Sequence, residues 1–290
     1  EDPTDTSDSG MSPAEETSPC DGSINGSGIP TGSRTCEGNI CTVAAGAFYM
    51  GSTFGHADEC PGRLVTLDQF RIDRTEVTWS QYDECVAAGT CVEPPAYCRS
   101  WAEGLSRPTW YEEEPAVSTS IDDYPVTCIP WAQAKTFCAY KGGRLPSEAE
   151  WEKAARGTDG AAWPWGSQPP SCPFANFRFV SWYCEEGVVA TGTYGNASAF
   201  GPVDMVGNAW EWVEDWYDAE WYQNAASTNP PGPTENCHTV VGGEPGECTL
   251  RIIRGGAYNV TEFNTRSAAR SASEPERVDY NIGFRCVYDG

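Results

Sequence analysis

Apolar positions along the chain fall into short groups of differing period, separated by long polar stretches. Ala47 to Gly51 and Leu64 to Arg74 alternate apolar and polar residues, the period of half-buried strands. After Thr78 the spacing changes. Trp79, Tyr82, Cys85 and Val86 recur at helical intervals, Thr78 and Gln81 make a capping box, and Gly89 ends the run. A second helix is predicted from Pro130, with Trp131, Ala134, Phe137 and Cys138 facing inward, and it stops at Gly142 and Gly143. Ser147 and Glu150 form another capping box, opening a third helix that reaches Arg156 and ends at Gly157. Arg251 to Gly256 and Gly283 to Val287 read as two buried strands.

Between these elements the chain is loop. Cys91 to Thr127 is irregular and rich in Pro, Trp, Tyr and Glu, and Asn224 to Glu247 is rich in Pro and Gly. Residues 1–35 carry almost no aliphatic side chains, so they cannot bury enough surface to offset their ordering entropy and read as a tail or tether. Residues 36–290 then form one domain. So few regular elements over this length, with no internal repeat, imply an α+β, loop-rich domain with little regular secondary structure. At its centre lies Phe200–Tyr217, FGPVDMVGNAWEWVEDWY. Trp210 and Trp212 require burial there, while Asp204, Glu211 and Glu214 require cationic partners or a metal ion. Carboxylates and backbone carbonyls gathered on such a turn suit a hard cation.

Fourteen cysteines supply staples for such a domain. They are scattered rather than set in C-x-x-C pairs, and only His56 and His238 accompany them, so disulfides in an oxidising compartment account for them better than zinc. Cys85 and Cys91 are close enough to bridge across a turn, and Cys172–Cys184 and Cys237–Cys248 would staple two loops. The spacing does not connect Cys20, Cys36, Cys41, Cys60, Cys98 and Cys128; Cys98–Cys128 is one candidate pair among them, and Cys36 or Cys41 is a candidate partner for Cys20. Charge narrows the partners. With 42 acidic against 18 basic residues the net charge is −24, which repels phosphate backbones and anionic lipid heads and excludes nucleic acid and bare membrane as partners. No apolar run is long enough to span a bilayer. The chain starts at Glu1 without a signal peptide, and the expectation is a mature, secreted or surface-attached protein whose leader has been removed. Asn25, Asn196 and Asn259 open formal glycosylation sequons. Both histidines read as surface groups, since no nucleophile-elbow pattern accompanies them.

Five motifs occur in one order along the chain. They are Gly46-x-Phe48-x-Met50-Gly51, Glu76-Val77-Thr78, Gly143-Arg144-Leu145-Pro146-x-Glu148-Ala149-Glu150-Trp151, Asp204 to Trp212, and the set Arg254-Gly255-Gly256, Ala269-Arg270 and Gly283-Phe284-Arg285-Cys286. In this series the chain resembles the formylglycine-generating-enzyme, or sulfatase-modifying-factor, domain family over nearly all of Gly46 to Cys286. The resemblance implies a variant C-type-lectin-like fold. It also implies a disulfide between Cys138 and Cys286, and a calcium ion on the Asp204 and Glu211 side chains and the Gly207 and Ala209 carbonyls. A second family calcium site would begin at Asn176, but the aspartate it needs downstream is absent from the expected place, with only Tyr183, Glu185 and Glu186 nearby.

The family enzyme oxidises a substrate cysteine to formylglycine with two copper-binding cysteines of its own. The matching span here, Tyr258 to Ser267, holds no thiol, and no cysteine occurs between Cys248 and Cys286. Copper(I) ligation requires soft thiolate or thioether donors, so copper is not expected. An iron site of the ergothioneine-synthase type would need more histidines than two. Arg144, Arg156, Arg254, Arg270 and Arg285 fall in motifs amid excess acid and are expected to be paired inside the domain. In place of the thiols stand Tyr258, Asn259, Glu262, Phe263, Asn264 and Arg266, side chains that bind by stacking and hydrogen bonds but offer no nucleophile. The expectation is a non-catalytic module that recognises an extracellular protein or glycan, or assembles with itself. The alternative is an enzyme of the sulfatase-modifying-factor type, or one with redirected chemistry.

Overall fold

The computed structural model describes residues 31–102 and 120–290; the tail through residue 30, with Cys20 and the Asn25 sequon, and part of the Cys91–Thr127 excursion lie outside them. In chain order the elements are β1 (Cys36–Glu37), β2 (Ile40–Val43), β3 (Gly46–Met50), β4 (Arg63–Leu67), β5 (Phe70–Asp73), α1 (Trp79–Ala87), α2 (Ala96–Ala102), α3 (Trp131–Tyr140) and α4 (Glu148–Arg156). There follow β6 (Trp210–Trp216), α5 (Trp221–Asn224), β7 (Arg251–Arg254), β8 (Arg270–Ser273), β9 (Ile282–Phe284) and β10 (Val287–Asp289). They make three sheets, ordered β1-β2-β5-β10, β3-β4 and β8-β7-β6-β9, in which only β6 and β9 run parallel among the described pairs. The result is a mixed α/β fold with few helices and many loops.

The alternating run from Leu64 to Arg74 is two strands, not one. Asp68 is turned outward onto Asn229, and the break lets β4 pair with β3 while β5 enters another sheet. The last predicted strand divides in the same way. Arg285 is drawn inward onto Glu211 and Cys286 is bonded to Cys138, which separates β9 from β10. Both capping boxes form as the side chains dictate, Thr78 with Gln81 on α1 and Ser147 with Glu150 on α4.

Two apolar clusters flank β6. One joins Trp79 and Tyr82 of α1, Phe137 of α3, Trp212 and Phe284; the other joins Phe48, Val65, Ile72, Trp151 of α4, Met205 and Val213. Between them α4 is buried on every side although it contains Glu148, Glu150, Glu152, Lys153 and Arg156. Burying charge costs several kcal/mol per ion unless each finds a partner. Here each does. Arg270 makes a two-pronged contact with Glu148 (2.8 and 3.1 Å), Arg254 and Arg156 reach Glu152 (2.6 and 2.8 Å), and Arg144 clasps Glu150 (2.7 and 2.6 Å). Lys153 has carbonyls instead, those of Ala44 and Gly46, and burial lowers its pKa to about 8. At the N-terminus of α4, Asp215 Oδ2 accepts the Glu148 amide at 2.8 Å. Burial, and then the charge of Glu148, push the Asp215 pKa up to about 7.

Six disulfides tie the described residues: Cys36–Cys41, Cys85–Cys91, Cys98–Cys128, Cys138–Cys286, Cys172–Cys184 and Cys237–Cys248. Cys60 is disulfide-bonded as well. Cys36 and Cys41 face each other in the β1–β2 ladder, so neither is the partner expected for Cys20. The Thr31 carbonyl accepts the Thr158 amide at 3.1 Å, and Arg34 donates to the Ser198 and Ala197 carbonyls.

Candidate functional site

Two places gather the residues singled out from the sequence. The first is the turn entering β6. Its backbone takes positive φ at Asp204 (56°), Gly207 (73°) and Asn208 (64°). Glycine is required at 207, because a Cβ there would stand 2.1 Å from the Asn176 carbonyl oxygen. The Gly207 amide donates to Gly255 and the Asn208 amide to Asn176, so the turn is bound to two other loops.

Below the turn lie three buried or nearly buried carboxylates, on Asp204, Glu211 and Glu76, the last a residue that sequence reading passed over as a site. Glu211 is fully engaged: Arg285 donates to both of its oxygens at 2.7 Å and the Trp151 indole adds a bond of 2.8 Å. The remaining Arg285 donors reach the carbonyls of Asp73, Arg74, Val203 and Asp204. Asp204 accepts the Gly192 amide. Glu76 accepts Asn208 Nδ2 at 2.9 Å through one oxygen, while its other oxygen is buried and accepts no hydrogen bond. Burial, and then the charge of Asp204, hold the Glu76 carboxyl well above its usual range. Asp204 is raised too, chiefly by burial. With one guanidinium against three carboxylates, the cluster either shares protons or takes up a cation. One unmet carboxylate oxygen, on Glu76, lies in this cluster, but among the described residues no three acidic, His or Cys side chains converge in a geometry that would hold a metal ion. Asn176 is buried and its amide oxygen is also unmet, whereas Glu185 and Glu186 are exposed and do not join it. Glu214 lies apart, paired with Lys135 at 2.5 Å.

The second place is Tyr258 to Arg270. Of the six side chains expected to form its surface, two do not. Tyr258 is buried against Val188 and Ala209, because the turn at Gly255 and Gly256 directs it inward. Arg266 is buried with its guanidinium clasped by both Glu59 oxygens at 2.6 Å and laid over Phe263 at 4.2 Å. Glu262 is exposed, and Asn259, Phe263 and Asn264 are half-buried. His56, read from the sequence as a surface histidine, is half-buried against this segment. Its Nε2 is 3.2 Å from Asn264 Oδ1 and its ring meets the edge of Phe263. Asn259 Oδ1 accepts Asn281 Nδ2.

A hairpin lies within the loop that Cys172 and Cys184 staple, and it adjoins this segment. Arg178 pairs with Tyr183 across it and with Thr261 beside it, and the Arg178 amide donates to Val260 at 2.9 Å. Its tip, Val180, is 92% exposed, and Trp182 and Tyr183 are 52% and 39% exposed. The available signal is five aromatic residues, Phe174, Phe177, Phe179, Trp182 and Tyr183, between two cysteines that bridge.

Helices and strands of this order around a stapled, loop-rich core define the formylglycine-generating-enzyme-like fold, a variant of the C-type-lectin-like one. PvdO from Pseudomonas aeruginosa superposes with a TM-score of 0.66 at 24% identity, over 87% of this chain and 94% of that one. Residues 29–290 match the sulfatase-modifying factor enzyme 1-like domain, and the chain belongs to that family. It is 30% identical to the formylglycine-generating enzyme of Mycobacterium tuberculosis over 86% of this chain and 97% of the relative. The bovine (Bos taurus) formylglycine-generating enzyme is 28% identical over 90% of this chain and 77% of its own length.

Proposed function

We propose that this chain is a non-catalytic member of its family, a secreted or surface-attached recognition or structural module whose scaffold is braced by calcium. The observation that carries this reading is the segment from Tyr258 to Ser267, which contains neither cysteine nor methionine. Without a soft donor it has no means of holding copper(I). Its one guanidinium, on Arg266, is consumed by Glu59, and the groups left near the surface are an amide pair, a phenyl ring and a carboxylate. These recognise; they do not attack. Among the described residues no cysteine is free, which supports an oxidising compartment and leaves no thiol for redox chemistry elsewhere among them.

Calcium would be held by Asp204 and the Gly207 and Ala209 carbonyls, with Glu76 supplying the oxygen that otherwise goes unmet, and Glu211 would join only through the lone pair that Arg285 and Trp151 leave on Oε1. Bound there, the ion would contribute charge balance and rigidity. Arg285 keeps Glu211 in place from the far side, and Asn208 fixes the orientation of Glu76. The test is direct. The protein is incubated with copper, oxygen and a cysteine-containing peptide, and peptide mass is followed. An unchanged thiol is expected, and an aldehyde product would overturn the reading.

A further inference from the structure

The hairpin from Arg178 to Tyr183 projects from the domain with its tip in water. The Cys172–Cys184 disulfide closes its base, the Phe179 amide donates to the Trp182 carbonyl at 2.7 Å, and Arg178 ties it to the adjoining segment by one bridge to Thr261 and one hydrogen bond to the Val260 carbonyl. A ladder of rings runs up it. Phe177 is buried, Phe179 packs on it at 4.8 Å, and Trp182 stacks on Phe179 at 4.1 Å with ring planes 17° apart. The indole is therefore held in one orientation with about half its surface in water, beside an almost fully exposed valine. Ordered, exposed aromatic groups of this kind are the anchors of protein interfaces.

Charge selects the occupant. Glu185 and Glu186 follow the hairpin at its base, and Glu262 follows Thr261 on the adjoining segment; all three are exposed. The whole protein carries −24, so an anionic partner is repelled and a cationic one is drawn in. Indole and phenol faces bind guanidinium and ammonium groups, and the hairpin already does this internally, with the Arg178 guanidinium 5.9 Å from the Tyr183 ring centre. Resting on the recognition role proposed above, we infer that the Arg178–Tyr183 hairpin is the docking site for an Arg- or Lys-rich segment of a protein partner. Cationic side chains lie on Trp182 and Tyr183 and pair with Glu185, Glu186 and Glu262, while Val180 enters an apolar recess of the partner.

An oligo-arginine peptide serves as the probe, with a Gly/Ser peptide of equal length and a neutral oligosaccharide as comparisons, titrated against the intact protein at two ionic strengths. The arginine peptide is expected to bind and to weaken as salt is raised. Trp182→Ala should weaken binding about tenfold, and Val180→Ser, at a side chain that packs on nothing, should leave it within about twofold because the probe offers no recess. Glu185→Gln with Glu186→Gln should lower affinity several-fold and flatten the salt dependence. Glu244→Gln with Glu247→Gln removes the same charge from exposed sites on another loop and should leave affinity within about twofold. Equal losses from the two double variants would reveal mere attraction to a negative protein and overturn the inference. So would an indifferent Trp182→Ala, binding of the oligosaccharide in place of the peptide, or no binding at all. None of these results bears on thiol oxidation, so failure here is distinguishable from failure of the non-catalytic reading.

Discussion

Asp215 offers a sharp check on the electrostatics of the core. Its carboxylate is buried at the N-terminus of α4, accepting the Glu148 amide with the Glu148 charge beside it, and its pKa is pushed up to about 7 from an ordinary 3.8. Between those two values the folded protein holds a proton that the unfolded chain releases. Stability therefore falls as pH rises through this window and is flat above it. Across the window a rise of one in pH removes about 1.4 kcal/mol, so the interval from pH 5 to about pH 7 costs about 3 kcal/mol. Asp215→Asn keeps an acceptor for the Glu148 amide and cannot ionise. Chemical denaturation with disulfides intact, followed by tryptophan fluorescence at pH 5 and pH 8, should show the variant gaining about 3 kcal/mol on the parent between the two. Asp73, pushed up to about 6 mainly by burial, titrates in both proteins and cancels in the difference. A stability difference between variant and parent that stays constant across this range would refute the reasoning.

Glu211→Gln leaves Arg285 buried without its two-pronged partner and should destabilise the domain by about 3–5 kcal/mol; a loss below about 1 kcal/mol would mean the pair is not structural. Calcium is checked by chelation. The melting temperature should fall with a strong chelator and return with added calcium, an effect of about 3 kcal/mol when the ion exceeds its dissociation constant a hundredfold; an unchanged melting curve and tryptophan spectrum would remove the site. Replacing Cys138 and Cys286 together by alanine opens a closure of 148 residues and should cost about 2–5 kcal/mol, read from denaturation midpoints.

What the sequence made legible was local. Thr78 with Gln81 and Ser147 with Glu150 cap their helices because partners three residues apart need no tertiary context. The motif arginines were readable as paired residues because acid was in excess, and Arg144, Arg156, Arg254, Arg270 and Arg285 all meet glutamates. What was not legible depended on distant pairing. Asp68 looked like one more polar position in an alternating strand, and only the divergence of β4 and β5 into different sheets makes it a break. Glu76 joins Asp204 and Glu211 across more than a hundred residues, so no spacing rule finds it. At Tyr258 and Arg266 the residue types suggested a surface. The positive φ of Gly255 and Gly256 and the carboxylate of Glu59 decide otherwise.

The burial of α4 has a consequence for how the protein is made. The guanidinium groups that neutralise Glu148, and one of the two that meet Glu152, come from Arg254 and Arg270, about a hundred residues later, and β5 is paired on one side by β10, later still. A nascent chain released only as far as β6 holds a helix whose Glu148 has no guanidinium partner, and a sheet with an open edge. Docking that helix would strand the Glu148 charge, so the order of synthesis disfavours early completion of the core. The domain closes only when its last forty or so residues are present, and products of premature termination or C-terminal clipping stay open to proteases.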